Sequence, residues 1–199
     1  KIYKVFNLTR ISPAYNMLST IGKGHDEVFE TARSAVTLIN PHSEDFLSAL
    51  PAPLGSSEQL IIIADESKAA QCDTCDAQEI FMAKGIKDAL LRLYGSQGSE
   101  QINDNRVLSY SFNDLTEYLD NSSNRLDLES NLKNADWLIF ALLDVSGTRT
   151  QSMALKRLIS EKPDLIRDKK VVVFSFNAPY YLDATDISSI TAYYGLYSK

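Results

Sequence analysis

Three carboxylates stand behind apolar runs that read as strands. They are Asp65 after Leu60–Ala64, Asp144 after Trp137–Leu143, and Asp183 on the loop beyond Val171–Phe174. A carboxylate at a strand end can face a cleft and act as acid, base or nucleophile, but the same placement more often caps a helix or closes a turn. Asn177, Tyr180 and Tyr181 share the loop after the Val171 strand. Tyrosine offers a flat apolar face with a polar tip, suited to stacking on a ligand ring, so these three are candidate cleft residues. Cys72 and Cys75 form a CxxC pair. Zinc would need two further ligands, and the chain has just His25 and His42, so the pair reads as two loop thiols or a disulfide and no metal is expected. Asp73 and Asp76 beside the thiols disfavour a reactive thiolate. No GxGxxG, GxxxxGK[ST] or GxSxG occurs, so neither a nucleotide cofactor nor a serine nucleophile is expected. Ser146-Gly147-Thr148 reads as a turn.

The elements that must hold these residues alternate. Leu60–Ala64, Arg106–Tyr110, Trp137–Leu143, Val171–Phe174 and Ile190–Leu196 read as strands, about five in all. Their near-continuous apolar character implies burial on both sheet faces. Between them, helices are expected over Ala77–Tyr94, then from a cap at Asn113 or Asp114 through Leu119, over Leu126–Leu132, and over Thr148–Ile159. The spacing Val28, Ala32, Ala35, Val36, Ile39 predicts an opening helix from His25 to Asn40-Pro41. Such alternation predicts a doubly wound, mostly parallel sheet in a three-layer αβα sandwich. Ligand groups in that architecture gather at the carboxyl ends of strands, where the Asn177–Tyr181 loop falls. Residues 1–23 show neither period and read as a linker or interdomain segment, which leaves 24–199 as the domain.

At 199 residues the chain suffices for one sizeable domain. The balance of 26 acidic against 20 basic residues, net −6, includes no Lys/Arg block, which argues against nucleic acid. No apolar run nears the ~20 residues that a bilayer span needs, and no signal-peptide pattern opens the sequence, so no membrane partner is expected and the compartment stays open. Asn7-Leu8-Thr9 and Asn121-Ser122-Ser123 are acceptor sequons that matter if the protein is secreted.

The segments Phe176-Asn177-Ala178-Pro179-Tyr180-Tyr181-Leu182-Asp183 and Ala192-Tyr193-Tyr194-Gly195-Leu196-Tyr197-Ser198 together resemble the second, C-terminal domain of family 3 glycoside hydrolases. The closest resemblance is to the fungal β-N-acetylglucosaminidase-like (β-hexosaminidase) branch. Glu30–Asn40 is similar to the helix that opens that domain, so the resemblance runs from about Gly24 to the end. It implies an αβα sandwich, carbohydrate as substrate, no cofactor, and a (β/α)₈ barrel of the same parent chain as partner. The barrel would carry the nucleophile and, in this branch, the acid/base pair. No position here matches a catalytic motif, so no catalytic residue is expected and the isolated chain should be inactive. Family members continue beyond the Tyr-Ser-Lys end, so the sandwich is expected to lack some cover there. The competing reading is a freestanding flavodoxin-like module for a ligand or nucleotide.

Overall fold

A computed structural model describes residues 24–41, 50–122, 126–143, 150–177 and 179–197. Outside them lie the linker, the Asn7 sequon, His42, Ser123, Asp144, the Ser146-Gly147-Thr148 turn, Ala178 and Ser198. The chain divides into two compact units, Lys1–Ala35 and Val36–Lys199.

In the first unit, helix α1 spans His25–Ala35. Asp26 and Glu27 lie in its first turn and Arg33 in its last, which suits the helix dipole. The helix buries no residue, and Val28 is 68% exposed. It stops at Ala35, short of the predicted end at Asn40-Pro41. Val36, Thr37 and Ile39 are β-branched, and Thr37–Asn40 becomes strand β1 rather than a last helical turn.

β1 belongs to the second unit, whose main sheet has six strands, one more than the sequence indicated. The others are β2 (Leu60–Ala64), β5 (Val107–Ser111), β6 (Trp137–Leu142), β7 (Lys170–Ser175) and β8 (Ala192–Gly195). Across the sheet the order is β1-β8-β7-β6-β2-β5, with β1 antiparallel to β8 and the remaining pairs parallel. β2 is buried along its whole length and β7 nearly so, as their apolar runs require. The first strand in this sheet is therefore not Leu60–Ala64 but an antiparallel edge strand upstream of it.

Helices cover both faces. α2 (Ala83–Tyr94) packs Ile86, Leu90 and Leu91 over Leu60, Ile62 and Val107. On the other face α3 (Phe112–Leu119), α4 (Leu126–Asn134), α5 (Ala154–Glu161) and α6 (Ala184–Ser188) cover Ile61, Ile63, Leu138, Phe140, Val171 and Val173. This is the three-layer αβα sandwich. Side chains of successive strand residues alternate between the two cores, so one strand such as β2 feeds both.

The expected helix over Ala77–Tyr94 is wrong in its first turns. Ser67–Ala69 (β3) and Gln78–Phe81 (β4) form a separate antiparallel hairpin, and α2 begins at Ala83. Ile80, placed by its spacing on a buried helical face, is 65% exposed, and Leu93 is exposed as well. Glu66 sets the true start, since its Oε1 accepts a hydrogen bond from the Ala83 N–H at 3.1 Å. The cap of α3 also shifts. Ser111 occupies the N-cap and Asp114 is the third helical residue, each side chain accepting from the other's backbone N–H in a capping box. Smaller shifts occur at β5, which runs one residue later than expected, at β8, which is shorter, and at α5, which follows a 3₁₀ turn over Thr150–Met153.

Candidate functional site

The parallel strands end in register. The Asp65 N–H donates to the Ala141 carbonyl at 2.9 Å, that of Phe176 to Leu142 at 2.8 Å, and that of Leu196 to Ser175 at 2.8 Å. These bonds tie the start of each loop to the neighbouring strand and build one continuous carboxyl edge. From β2 the chain goes to β5 on one side, then crosses to β6, β7 and β8 on the other. The topological switch point therefore lies between β2 and β6, where Asp65 sits 1% exposed.

The loop after β7 leaves this edge with anchors at both ends. At its start Ser175 Oγ donates to the Asn177 carbonyl at 3.1 Å, and the Phe176 ring meets the Phe81 ring edge-on at 4.8 Å. Pro179 packs beside Gly195, where an added Cβ would lie 3.4 Å from the proline Cγ and 3.2 Å from the Tyr197 ring. The bare backbone at Gly195 eases the close approach of the Tyr197 ring, while the proline would meet a Cβ at ordinary contact distance. At the far end the Tyr181 hydroxyl donates to the Ser152 carbonyl at 2.5 Å, and Leu182 is buried. Lys156 Nζ stands 5.4 Å from the Tyr181 ring centre and bridges Asp183 at 3.3 Å and Asp186 at 3.1 Å. Asp183 also caps α6, accepting from the Thr185 and Asp186 N–H groups.

The electrostatics agree with an anchoring role. Burial pushes the Tyr181 phenol well above its ordinary value, and the carboxylates of Asp186 and Asp65 add to that shift. Burial alone would lower the Lys156 ammonium, but the hydrogen bonds it donates to Asp186 and Asp183 outweigh it and hold the group above its usual value. Asp183 is held low, chiefly by the Asp186 N–H. Each charged group here has its partner, so the cluster fixes the loop.

The three predicted cleft residues thus share one loop but face differently. Tyr180 is 88% exposed, Asn177 is exposed, and Tyr181 is half-buried with its hydroxyl committed to Ser152. Asp65 is buried at the switch point and Asp183 caps a helix. Sequence reasoning missed Lys156, Ser152 and Phe81, which hold the loop. Lys156 lies on an amphipathic helix where any surface lysine would look alike, and Phe81 was assigned to a helix that begins two residues later. Cys72 and Cys75 close a disulfide in the exposed turn between β3 and β4. Among the described residues, no group of three or more His, Cys, Asp or Glu could hold a metal ion.

No family model matches the sequence, and neither does any curated protein. Among solved structures, the chain is similar to a beta-glucoside phosphorylase BglX bound to 2FGlc, with a TM-score of 0.49 and 16% identity. The match covers 98% of this chain and 31% of that one, so this chain spans less than a third of that chain's length.

Proposed function

We propose that residues 24–199 are the second domain of a family 3 glycoside hydrolase of the β-N-acetylglucosaminidase-like branch, joined through 1–23 to a (β/α)₈ barrel. The barrel hydrolyses O-glycosyl bonds with its own nucleophile and acid/base group, and this domain walls the sugar site without doing chemistry. The sequence resemblance of Phe176–Asp183 and Ala192–Ser198 supports the family, and the αβα sandwich is the fold that resemblance implies.

One observation carries the walling role, namely the contrast within the β7 loop. Phe176, Pro179, Tyr181 and Leu182 are packed down, while the Tyr180 ring stands in solvent between them. An exposed aromatic ring on an anchored loop can stack on a sugar ring at a reduced cost, because the loop backbone has little entropy left to lose on binding.

The test is to assay the isolated chain and its full-length parent on an aryl β-N-acetylglucosaminide. Turnover is expected from the parent and none above the buffer rate from the chain. Turnover by the repurified chain, or a parent coding sequence with no barrel before Lys1, overturns the reading. The second outcome would favour a freestanding flavodoxin-like module, a reading supported by the order β5-β2-β6-β7-β8 and its switch point at Asp65.

A further inference from the structure

We infer that Phe81 is a positioning residue of the candidate site. Its ring, at the base of the β3–β4 hairpin, holds Phe176 and through it fixes the line along which the β7 loop carries Tyr180. The functional consequence rests on the walling reading above. The geometry does not.

The loop is gripped on opposite faces of the sheet. Phe176 lies on the α2 face, in a small cluster with Ala64, Ala83, Ala141, Phe81 and Ile86. Tyr181 packs on the other face, against the core that α3 to α6 cover. Tyr180, 88% exposed, stands between the two holds. Ala64 and Ala141 are partners in register where β2 and β6 end, and Ala83 opens α2. Three alanines make room for two rings but present little surface to either. The Phe81 ring supplies the large contact, edge-on to Phe176 with centres 4.8 Å apart, so that the positive rim of one ring meets the negative face of the other.

Phe81 is itself fixed from two sides. Its backbone pairs with Ser67 in the hairpin. Just beyond it the Ala83 N–H donates to Glu66 Oε1 at 3.1 Å, and the Ile86 N–H donates to the Met82 carbonyl at 3.3 Å, so the start of α2 holds the chain as well. At Phe176 that rigidity passes into the loop. The Phe176 N–H donates to the Leu142 carbonyl at 2.8 Å, and the Ser175 hydroxyl donates to the Asn177 carbonyl at 3.1 Å. Removing the Phe81 ring takes away the edge-to-face contact on the α2 face and leaves the Tyr181 end in place. The start of the loop can then shift, and Tyr180 shifts with it.

The test uses the full-length parent, with an aryl β-N-acetylglucosaminide as substrate and residue-resolved amide exchange as a second readout. Phe81→Ala should raise KM about three- to five-fold and change kcat by less than about two-fold, since a displaced wall weakens binding without touching the barrel's reacting groups. Exchange at the Phe176 amide should quicken about five-fold or more, while the Lys162 amide, bonded to Leu158 at the end of α5, keeps its wild-type rate. Adding Phe81→Ala to Tyr180→Ala should raise KM by less than about two-fold further, because the one residue acts through the other. Phe81→Leu keeps apolar bulk without the ring edge. It should shift both readouts in the same direction by about two-fold, and it decides the question if the alanine variant does not fold. A Phe176 amide that exchanges at the wild-type rate overturns the inference, as does a KM raised by Tyr180→Ala and unmoved by Phe81→Ala. A quickened Phe176 amide with KM unmoved in both variants upholds the hold of Phe81 on the loop and overturns the walling reading instead.

Discussion

The β7 loop and the β3–β4 hairpin rise from the same carboxyl edge of the sheet and touch at their bases, where Phe176 meets Phe81. They are built by different means. The loop sends Phe176, Tyr181 and Leu182 into buried or half-buried contacts and leaves Tyr180 outside. The hairpin buries no residue; the Lys68–Glu79 ion pair links its two strands, the Gln71–Gln78 hydrogen bond ties the turn to β4, and the disulfide closes the turn between them. One projection is held mainly by the core and the other, apart from Phe81 at its base, by local bonds, so the loop should answer to core mutations and the outer part of the hairpin should open alone.

The largest expected effect follows from removing the loop's anchor. Tyr181→Ala deletes a half-buried ring and its bond to Ser152, and should destabilise by about 2–3 kcal/mol. For a domain of this size that is a fall in Tm of roughly 5–10 °C by calorimetry. A change under about 2 °C would mean that Tyr181 does not anchor the loop.

Alkali should act on the same residue. The Tyr181 phenol is raised in the folded state, so the stability it contributes is complete below the unfolded value near pH 10 and is lost as pH climbs toward the folded value. Burial raises Tyr118, Tyr193 and Tyr194 in the same direction. Tyrosine absorbance followed against pH should show a delayed fraction released on unfolding. Tyr181→Phe should shrink that fraction by one ring and cost about 1 kcal/mol at neutral pH. An undiminished delayed fraction would show that Tyr181 titrates with the exposed rings.

At the hairpin the expected effect is local. Cys72→Ser with Cys75→Ser opens a very short covalent loop, so global stability should fall by less than about 2 kcal/mol. Amide exchange in the hairpin should rise while α2 stays protected. Loss of the domain's cooperative unfolding would erase the distinction between the two projections.

The same distinction decided what the sequence could disclose. The strands at Leu60, Trp137 and Val171 were legible because burial on both faces demands unbroken apolar runs, and the β7 loop because Pro179 has to end the ladder. Only β4, the hairpin's second strand, falls within the stretch read as helix, because all its residues but Phe81 face solvent. No packing requirement constrains their period, and Ile80 chanced to fall in step with Ile86 and Leu90. β1 was lost for a related reason, since four residues at an edge are too few to separate a strand from a helix end. The sequence brought Asn177, Tyr180 and Tyr181 to one place. It could not tell inward from outward, because that choice depends on Ser152 and Lys156 arriving from α5.

The proposed walling role rests on Tyr180. Replacing it by Ala in the full-length protein should leave Tm within about 1–2 °C of wild type, because an exposed side chain contributes little to folding. The kcat/KM for a β-N-acetylglucosaminide should fall about ten-fold, equivalent to ~1.4 kcal/mol of lost transition-state binding. Unchanged kcat/KM, or a loss that merely follows a fall in Tm, would contradict the account and make the loop a structural contact.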